Sequence, residues 1–301
     1  MEQLKGQTPA EQALLEAGLL RGCTRLAPGF FRGPAGGECR EPLAPFSEGD
    51  GVALSERAKI ELTTAHFETP IYERAVGAAL ADMPPGPLLE LGAGDGRITR
   101  MLLARWQGPV LACDCNQAAL ARLHAALSQE ERQRIVLLCC GIKELPLPAA
   151  SVSGIVAIET LYYLGREFEA ALQVLARSLR PGGRLVHAEP TLEGWLLYCV
   201  AVDDWAGALA TAGEGAVETR YRGFTPEQMR SLHAACGLRP VAQDQTPLVN
   251  ILLVNRLARS GLPEAQRLEI LRAVRAAAEQ CPTPRCVIYT AAPTADEELD
   301  A

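Results

Sequence analysis

The stretch Glu90-Leu-Gly-Ala-Gly-Asp-Gly96 sets a carboxylate just ahead of three alternating glycines, and a second carboxylate, Asp114, follows one strand-helix-strand unit later. Glycines at this spacing let the backbone turn tightly and come close to a ligand. The helix that starts behind them offers N–H groups with no partner in the helix itself. A dinucleotide-binding loop uses the same devices, but its third glycine falls one residue later, where this chain has Arg97. Glu90 at a strand end repels a pyrophosphate and suits an ammonium. Asp114, ending the next strand, is placed to accept hydrogen bonds from both ribose hydroxyls. Glu90, Gly92, Ala93, Gly94 and Asp114 together describe a site for a ligand carrying a ribose and a free amino group.

Further reactive side chains cluster later in the chain. Glu159, Tyr162 and Tyr163 follow a fourth strand, His187 and Glu189 end a fifth, and Trp195, Asp203, Asp204 and Trp205 lie beyond it. Open α/β sheets present ligands at these carboxyl ends, so Glu159, Tyr162, Tyr163 and His187 are the catalytic candidates. Tyr162 and Tyr163 suit either a cation facing their rings or helix packing, and a strand imidazole such as His187 is either a packed residue or a base. The ten cysteines include no C-x-x-C pair and accompany no histidine cluster, so no metal site is expected. They read as reduced, buried thiols of a cytoplasmic protein.

Alternating elements must position these residues. An amphipathic helix over Ile71–Met83 stops at Pro84-Pro85. The strands expected next are Leu88–Leu91, Val110–Asp114, Ile135–Cys140, Gly154–Ile158 and Arg184–Ala188, with helices at Ile98–Trp106, Gln117–Ser128 and Glu167–Leu179 between them. That alternation predicts a parallel sheet with crossover helices. Two more strands, Leu238–Gln243 and Arg285–Ala291, and a capped helix over Thr225–Cys236 complete the domain. Helices are also predicted at Val249–Arg259 and Glu264–Gln280. Ahead of this, Pro9–Leu20 and Leu54–Thr64 are short helical candidates, and the Gly/Pro-rich Pro28–Pro45 predicts no regular element. We therefore expect an arm or lid over residues 1–70. A domain over 71–301 follows, with helical insertions at about 190–222 and 248–282.

With Glu90–Arg97, Asp114, Glu144-Leu-Pro-Leu-Pro148 and Leu179-Arg-Pro-Gly-Gly-Arg-Leu185 taken in order, the chain resembles the class I S-adenosylmethionine-dependent methyltransferases from about Ile71 to Ala188. The resemblance implies an α/β fold: a Rossmann-like, mostly parallel seven-stranded sheet with helices on both faces. It implies S-adenosyl-L-methionine as cofactor and adds Tyr72, Cys115, Gly141, Ile142 and Ile158 to its binding residues, with Cys115 against the adenine ring. The family commonly carries an acidic residue after the third strand to bond the adenine amine. Gly141 stands there instead, followed by Ile142, so backbone groups or a side chain from elsewhere would hold the adenine. Methyl transfer is an in-line displacement that needs alignment and a dry pocket, and a base only when the nucleophile must shed a proton.

The net charge of −7 and the lack of an Asn/Asp-Pro-Pro-aromatic motif argue against a nucleic-acid acceptor and for a small molecule. No leader or membrane-spanning stretch is expected, and oligomeric state is not legible. Four other readings are open: intramolecular cyclisation of the cofactor with release of methylthioadenosine, thiolate-assisted metalloid methylation, a non-catalytic scaffold, and an NAD-dependent dehydrogenase.

Overall fold

The computed structural model describes residues 7–34, 68–201, 223–247 and 284–294, with short pieces at 208–209, 261–263, 265–266 and 269–270. The expected helices at Leu54–Thr64 and Val249–Arg259, most of that at Glu264–Gln280, and Asp203, Asp204 and Trp205, lie outside the described residues.

Nine strands form one sheet. In chain order they are β1 (Thr24–Ala27), β2 (Phe30–Arg32), β3 (Leu88–Leu91), β4 (Val110–Asp114), β5 (Ile135–Cys139), β6 (Val152–Ile158), β7 (Leu179–Pro190), β8 (Leu238–Pro247) and β9 (Pro284–Pro293). Their order across the sheet is β1-β2-β5-β4-β3-β6-β7-β9-β8. From β2 to β7 every neighbouring pair is parallel, whereas β1 and the β9 and β8 edge are antiparallel. The fold is the expected Rossmann-like α/β sheet, widened from seven strands to nine by β1 and β2. The segment read as lacking regular structure thus supplies β2. Phe30 and Phe31 explain this, because they bury on opposite faces of the sheet, and three residues suffice for a strand paired on both sides, with β1 and β5.

Helices cover both faces: α1 (Pro9–Glu16), α2 (Thr69–Ala81), α3 (Arg97–Arg105), α4 (Gln117–Ala126), α5 (Gln129–Arg132), α6 (Phe168–Ser178), α7 (Leu192–Ala201) and α8 (Pro226–Ala235). α1 begins with a capping box in which the Thr8 hydroxyl accepts from the Glu11 amide and the Glu11 carboxylate accepts from the Thr8 amide. α8 repeats the device with Thr225 and Gln228. Strands buried on both faces read as continuous apolar runs, and successive residues divide between two cores. Leu89, Leu91, Ile155, Ala157 and Leu185 join Phe168, Phe224 and Met229 on one side. Leu88, Val156, Ile158, Val186 and Ala188 join Tyr72, Val76 and Leu102 on the other.

β3 is the first of the strands β3 to β7, and from it the chain builds outward in both directions. The order therefore reverses between β3 and β6, and at such a switch point the two following loops diverge and leave a crevice at the strand ends.

Candidate active site

The loop after β3 lies at that crevice. Its first amides, of Gly92 and Ala93, both donate to the Cys113 carbonyl of β4, which pins the loop to the neighbouring strand. Gly92 has a φ of 74°, and a Cβ there would collide with the Thr160 hydroxyl at the end of β6. That hydroxyl is in turn 3.2 Å from the Leu91 carbonyl and 3.1 Å from that of Ile158, so it ties the two switch-point strands together. A Cβ on Gly96 would strike Leu123 of α4. Gly94 differs from both: a Cβ there would meet nothing within 4 Å. Two of the three glycines thus let protein approach protein, and the middle one faces open space.

Asp114 closes the loop from β4. One carboxylate oxygen accepts from the Gly94 amide at 2.8 Å and the other from the Asn116 amide at 2.7 Å. Asp114 is half-buried, as are Cys115, Gly141 and Ile142 beside it. A Cβ added at Gly141 would also meet nothing within 4 Å. Gly92, Gly94, Asp114, Cys115, Gly141 and Ile142 therefore form an accessible rim across the ends of β3, β4 and β5. Open space at Gly94 and Gly141, beside a carboxylate held by two backbone amides, fits an adenosyl group.

Glu90 does not stand open on this rim. It is 2 % exposed on the α2 and α3 side of β3, where its Oε2 accepts from the Thr99 hydroxyl at 2.7 Å. Burial raises its pKa to about 7, against the opposing pull of the Thr99 hydrogen bond. Tyr72, fully buried on α2, donates its hydroxyl to Glu159 at 2.6 Å, while the Arg97 guanidinium sits over the Tyr72 ring and 3.8 Å from both Glu68 and Glu159. Glu159 adopts a φ of 53°, uncommon for a side chain of this kind and typical of functional loops. Ile158, just before it, is buried in the α2-side core.

The other catalytic candidates lie on the opposite side of the sheet end. Tyr162 is buried and stacked on the more exposed Tyr163, with ring centroids 4.3 Å apart, and Trp195 of α7 is 6.4 Å from Tyr162. His187 and Glu189 alternate onto this face of β7 and are both buried. His187 Nδ1 lies 2.9 Å from Glu189 Oε1, and its Nε2 lies 2.8 Å from Nε2 of His233 on α8. Burial lowers the pKa of His187 well below the usual value, helped by His233, and lowers that of His233 to about 4. Burial pushes Glu189 well above the usual carboxyl range, against a backbone hydrogen bond from Tyr162 and with the nearby Glu159 charge adding to it.

The structure therefore brings Tyr72 and Glu159 together at the crevice, and places His187 next to a partner that sequence reasoning did not name. His233 gave no signal, because it is one residue of a helix recognised only by its cap. Thr99 and Thr160 were also missed, as threonines without a motif. Among the described residues no group of three His, Cys, Asp or Glu side chains is arranged to hold a metal ion. No described helix is long and apolar enough to cross a membrane.

Residues 88–183 match the family model of the methyltransferase domain. Over those residues the chain is similar to S-adenosylmethionine-dependent methyltransferases. A malonyl-[acyl-carrier protein] O-methyltransferase from Methylococcus capsulatus is 32% identical over 148 residues, which cover 47% of this chain and 53% of that protein. The chain thus aligns with about half the length of that relative. Among solved structures, geranyl diphosphate C-methyltransferase from Streptomyces coelicolor superposes with a TM-score of 0.54 at 15% identity, covering 82% of this chain and 86% of that one. The [4+2]-cyclase SpnF superposes with a TM-score of 0.52 at 18% identity, covering 74% and 81%. Both share the fold.

Proposed function

We propose that the protein is a methyltransferase that takes its methyl group from S-adenosyl-L-methionine and passes it to a small-molecule acceptor. The observation that carries this reading is the open rim at the switch point, where Asp114 is held by the Gly94 and Asn116 amides opposite the space left by Gly94 and Gly141. When bound, the sulfonium supplies an electrophilic methyl carbon with a neutral thioether as leaving group.

The residues of the chain bind, orient and shield. Asp114 has lone pairs left on both oxygens for the ribose hydroxyls. Cys115 and Ile142 flank the adenine position, and the Gly141 and Ile142 backbone takes over the contact that an acidic side chain makes in relatives. Glu90, buried beneath the loop, stiffens it through Thr99. Arg97 is the nearest cation for the carboxylate of the amino-acid moiety, with Tyr72 and Glu159 fixing its position. Ile158 closes the apolar wall beneath. Tyr162, Tyr163 and Trp195 line the side from which an acceptor would approach, and keep water from the transfer.

Incubation with S-adenosylmethionine alone and then with candidate acceptors, with the adenosyl product read by mass spectrometry, tests this. S-adenosylhomocysteine formed only with an acceptor is the expected outcome. Methylthioadenosine formed without one would replace methyl transfer by cyclisation of the cofactor, and absence of binding by calorimetry would remove the reading altogether.

A further inference from the structure

The rim runs in order across four neighbouring strand ends. Glu159 follows β6, the glycine loop and Arg97 follow β3, Asp114 ends β4, and Gly141 follows β5. A ligand with its ribose on Asp114 and its amino-acid end at the β3 loop has its purine at the β5 end, beside Cys115, Gly141 and Ile142. Gly141 has φ −77° and ψ 156°, an extended backbone that any residue adopts. A Cβ there would meet nothing within 4 Å, so neither strain nor packing requires glycine. Gly33, just past β2, is the opposite case: its Cβ would strike that of Cys140 at 2.6 Å. The protein fills the flank at Cys140 and leaves the place of a Gly141 side chain open.

Hydrogen-bond acceptors at this end are already engaged. The Gly141 carbonyl accepts from the Glu144 amide at 3.0 Å, and the Ile142 carbonyl from the Leu145 amide at 3.3 Å. Both Asp114 oxygens accept from backbone amides. Two of the charged side chains nearby are cations: Arg32, register-paired with Cys139, bonds Gln117, and Lys143 pairs with Glu167. The half-buried Glu144 is the carboxylate of the same turn. A backbone carbonyl with one lone pair spent and its direction fixed by a turn can touch the ring edge, yet it gains little from the hydrogens of a 6-amino group.

We propose that the cofactor site holds its ligand by the ribose and the amino-acid moiety and does not select the 6-amino group of the purine. It therefore also takes S-adenosyl compounds alkylated on that nitrogen, and Gly141 is the residue that sets this tolerance. The inference rests on the methyltransferase reading above. A site built to hydrogen-bond a ligand group rejects an analogue lacking that group by several orders of magnitude, because its buried polar partners are left unpaired. Gly141 presents no side chain to be left in that state. A substituent on the purine nitrogen enters the space in which a Cβ would meet nothing.

The test is calorimetry on the full chain with S-adenosylhomocysteine, its 6-deamino analogue and its N6,N6-dimethyl derivative. All three keep the ring nitrogens. The second removes the amine hydrogens without adding bulk, and the third removes them and fills the space. The wild type is expected to bind both analogues within about fivefold of S-adenosylhomocysteine. Gly141→Asp should create a preference for S-adenosylhomocysteine over each analogue of about tenfold or more, because a carboxylate there accepts from the amine and takes up the room. Gly141→Asn should move the ratios the same way by less, and it keeps the test decisive if the aspartate variant folds poorly. Rejection of either analogue by the wild type beyond about fivefold would overturn the proposal. So would unchanged ratios in both Gly141 variants, or ratios that shift in Glu144→Gln, which would assign the selection to that carboxylate. Failure of the wild type to bind S-adenosylhomocysteine itself would instead strike the methyltransferase reading.

Discussion

The crevice has two sides that handle charge differently. On the β3–β4 side, Glu90 and Asp114 are completed by Thr99 and by backbone amides, and the open space lies at glycines. On the β6–β7 side, bulk fills the space, and Glu189, His187 and His233 form a buried chain of titratable groups. A ligand common to a whole superfamily can be held by backbone and by fixed hydrogen bonds. On the other side the side chains themselves complete the polar groups, His187 bonding both Glu189 and His233. The difference teaches that the first side is shaped as a cradle and the second as a packed wall of side chains.

The largest effect should come from breaking the cradle where the two sides touch. Gly92→Ala adds a Cβ in a left-handed conformation and against Thr160, so we expect a stability loss of about 2–5 kcal/mol by calorimetry. Adding Thr160→Ser should leave most of that loss, because the hydroxyl and the backbone strain both remain. Next in size, Asp114→Ala should weaken S-adenosylhomocysteine binding by about 1–3 kcal/mol, or roughly 5- to 150-fold, with the fold intact. Unchanged affinity would take Asp114 out of the ribose role.

A further prediction is a contrast of sign. Glu90 has a folded pKa raised from 4.5 to about 7, so the stability it contributes is complete below pH 4.5 and lost as the pH rises through 7. His233 has its pKa lowered from 6.5 to about 4, so its contribution is present above pH 6.5 and lost as the pH falls through 4. Glu90→Gln should therefore flatten the stability profile between pH 4.5 and 7, and His233→Gln should flatten it between 6.5 and 4, each by up to about 3 kcal/mol. Chemical denaturation across pH measures both. Two variants that moved the profile in the same direction would break the contrast.

The cradle was legible because local rules write it. Strand, glycines and helix are contiguous from Leu88 to Arg105, and Asp114 comes one strand later, so spacing alone aligned them. The packed wall was less legible. His187 and Glu189 could be placed at one strand end by alternation, but His233 comes from a helix 46 residues on, and no pattern in the chain pairs the two imidazoles. Likewise, the Gly/Pro-rich stretch hid β2, because its strand character comes from pairing with β1 and β5 and from burying Phe30 and Phe31, not from its own propensity. Turn residues around three apolar ones look like a loop until a neighbouring strand supplies the hydrogen bonds.

The sequence by itself determined the alternation of strands and helices, the place of the glycine loop and the pairing of Glu90 with Asp114 in one unit, since these follow from periodicity and short-range spacing. Tertiary structure decided which glycine faces open space and which groups complete each buried carboxyl. Those outcomes depend on partners distant in the chain, Thr160 for Gly92 and His233 through His187 for Glu189, and packing brings them together only once the sheet has formed.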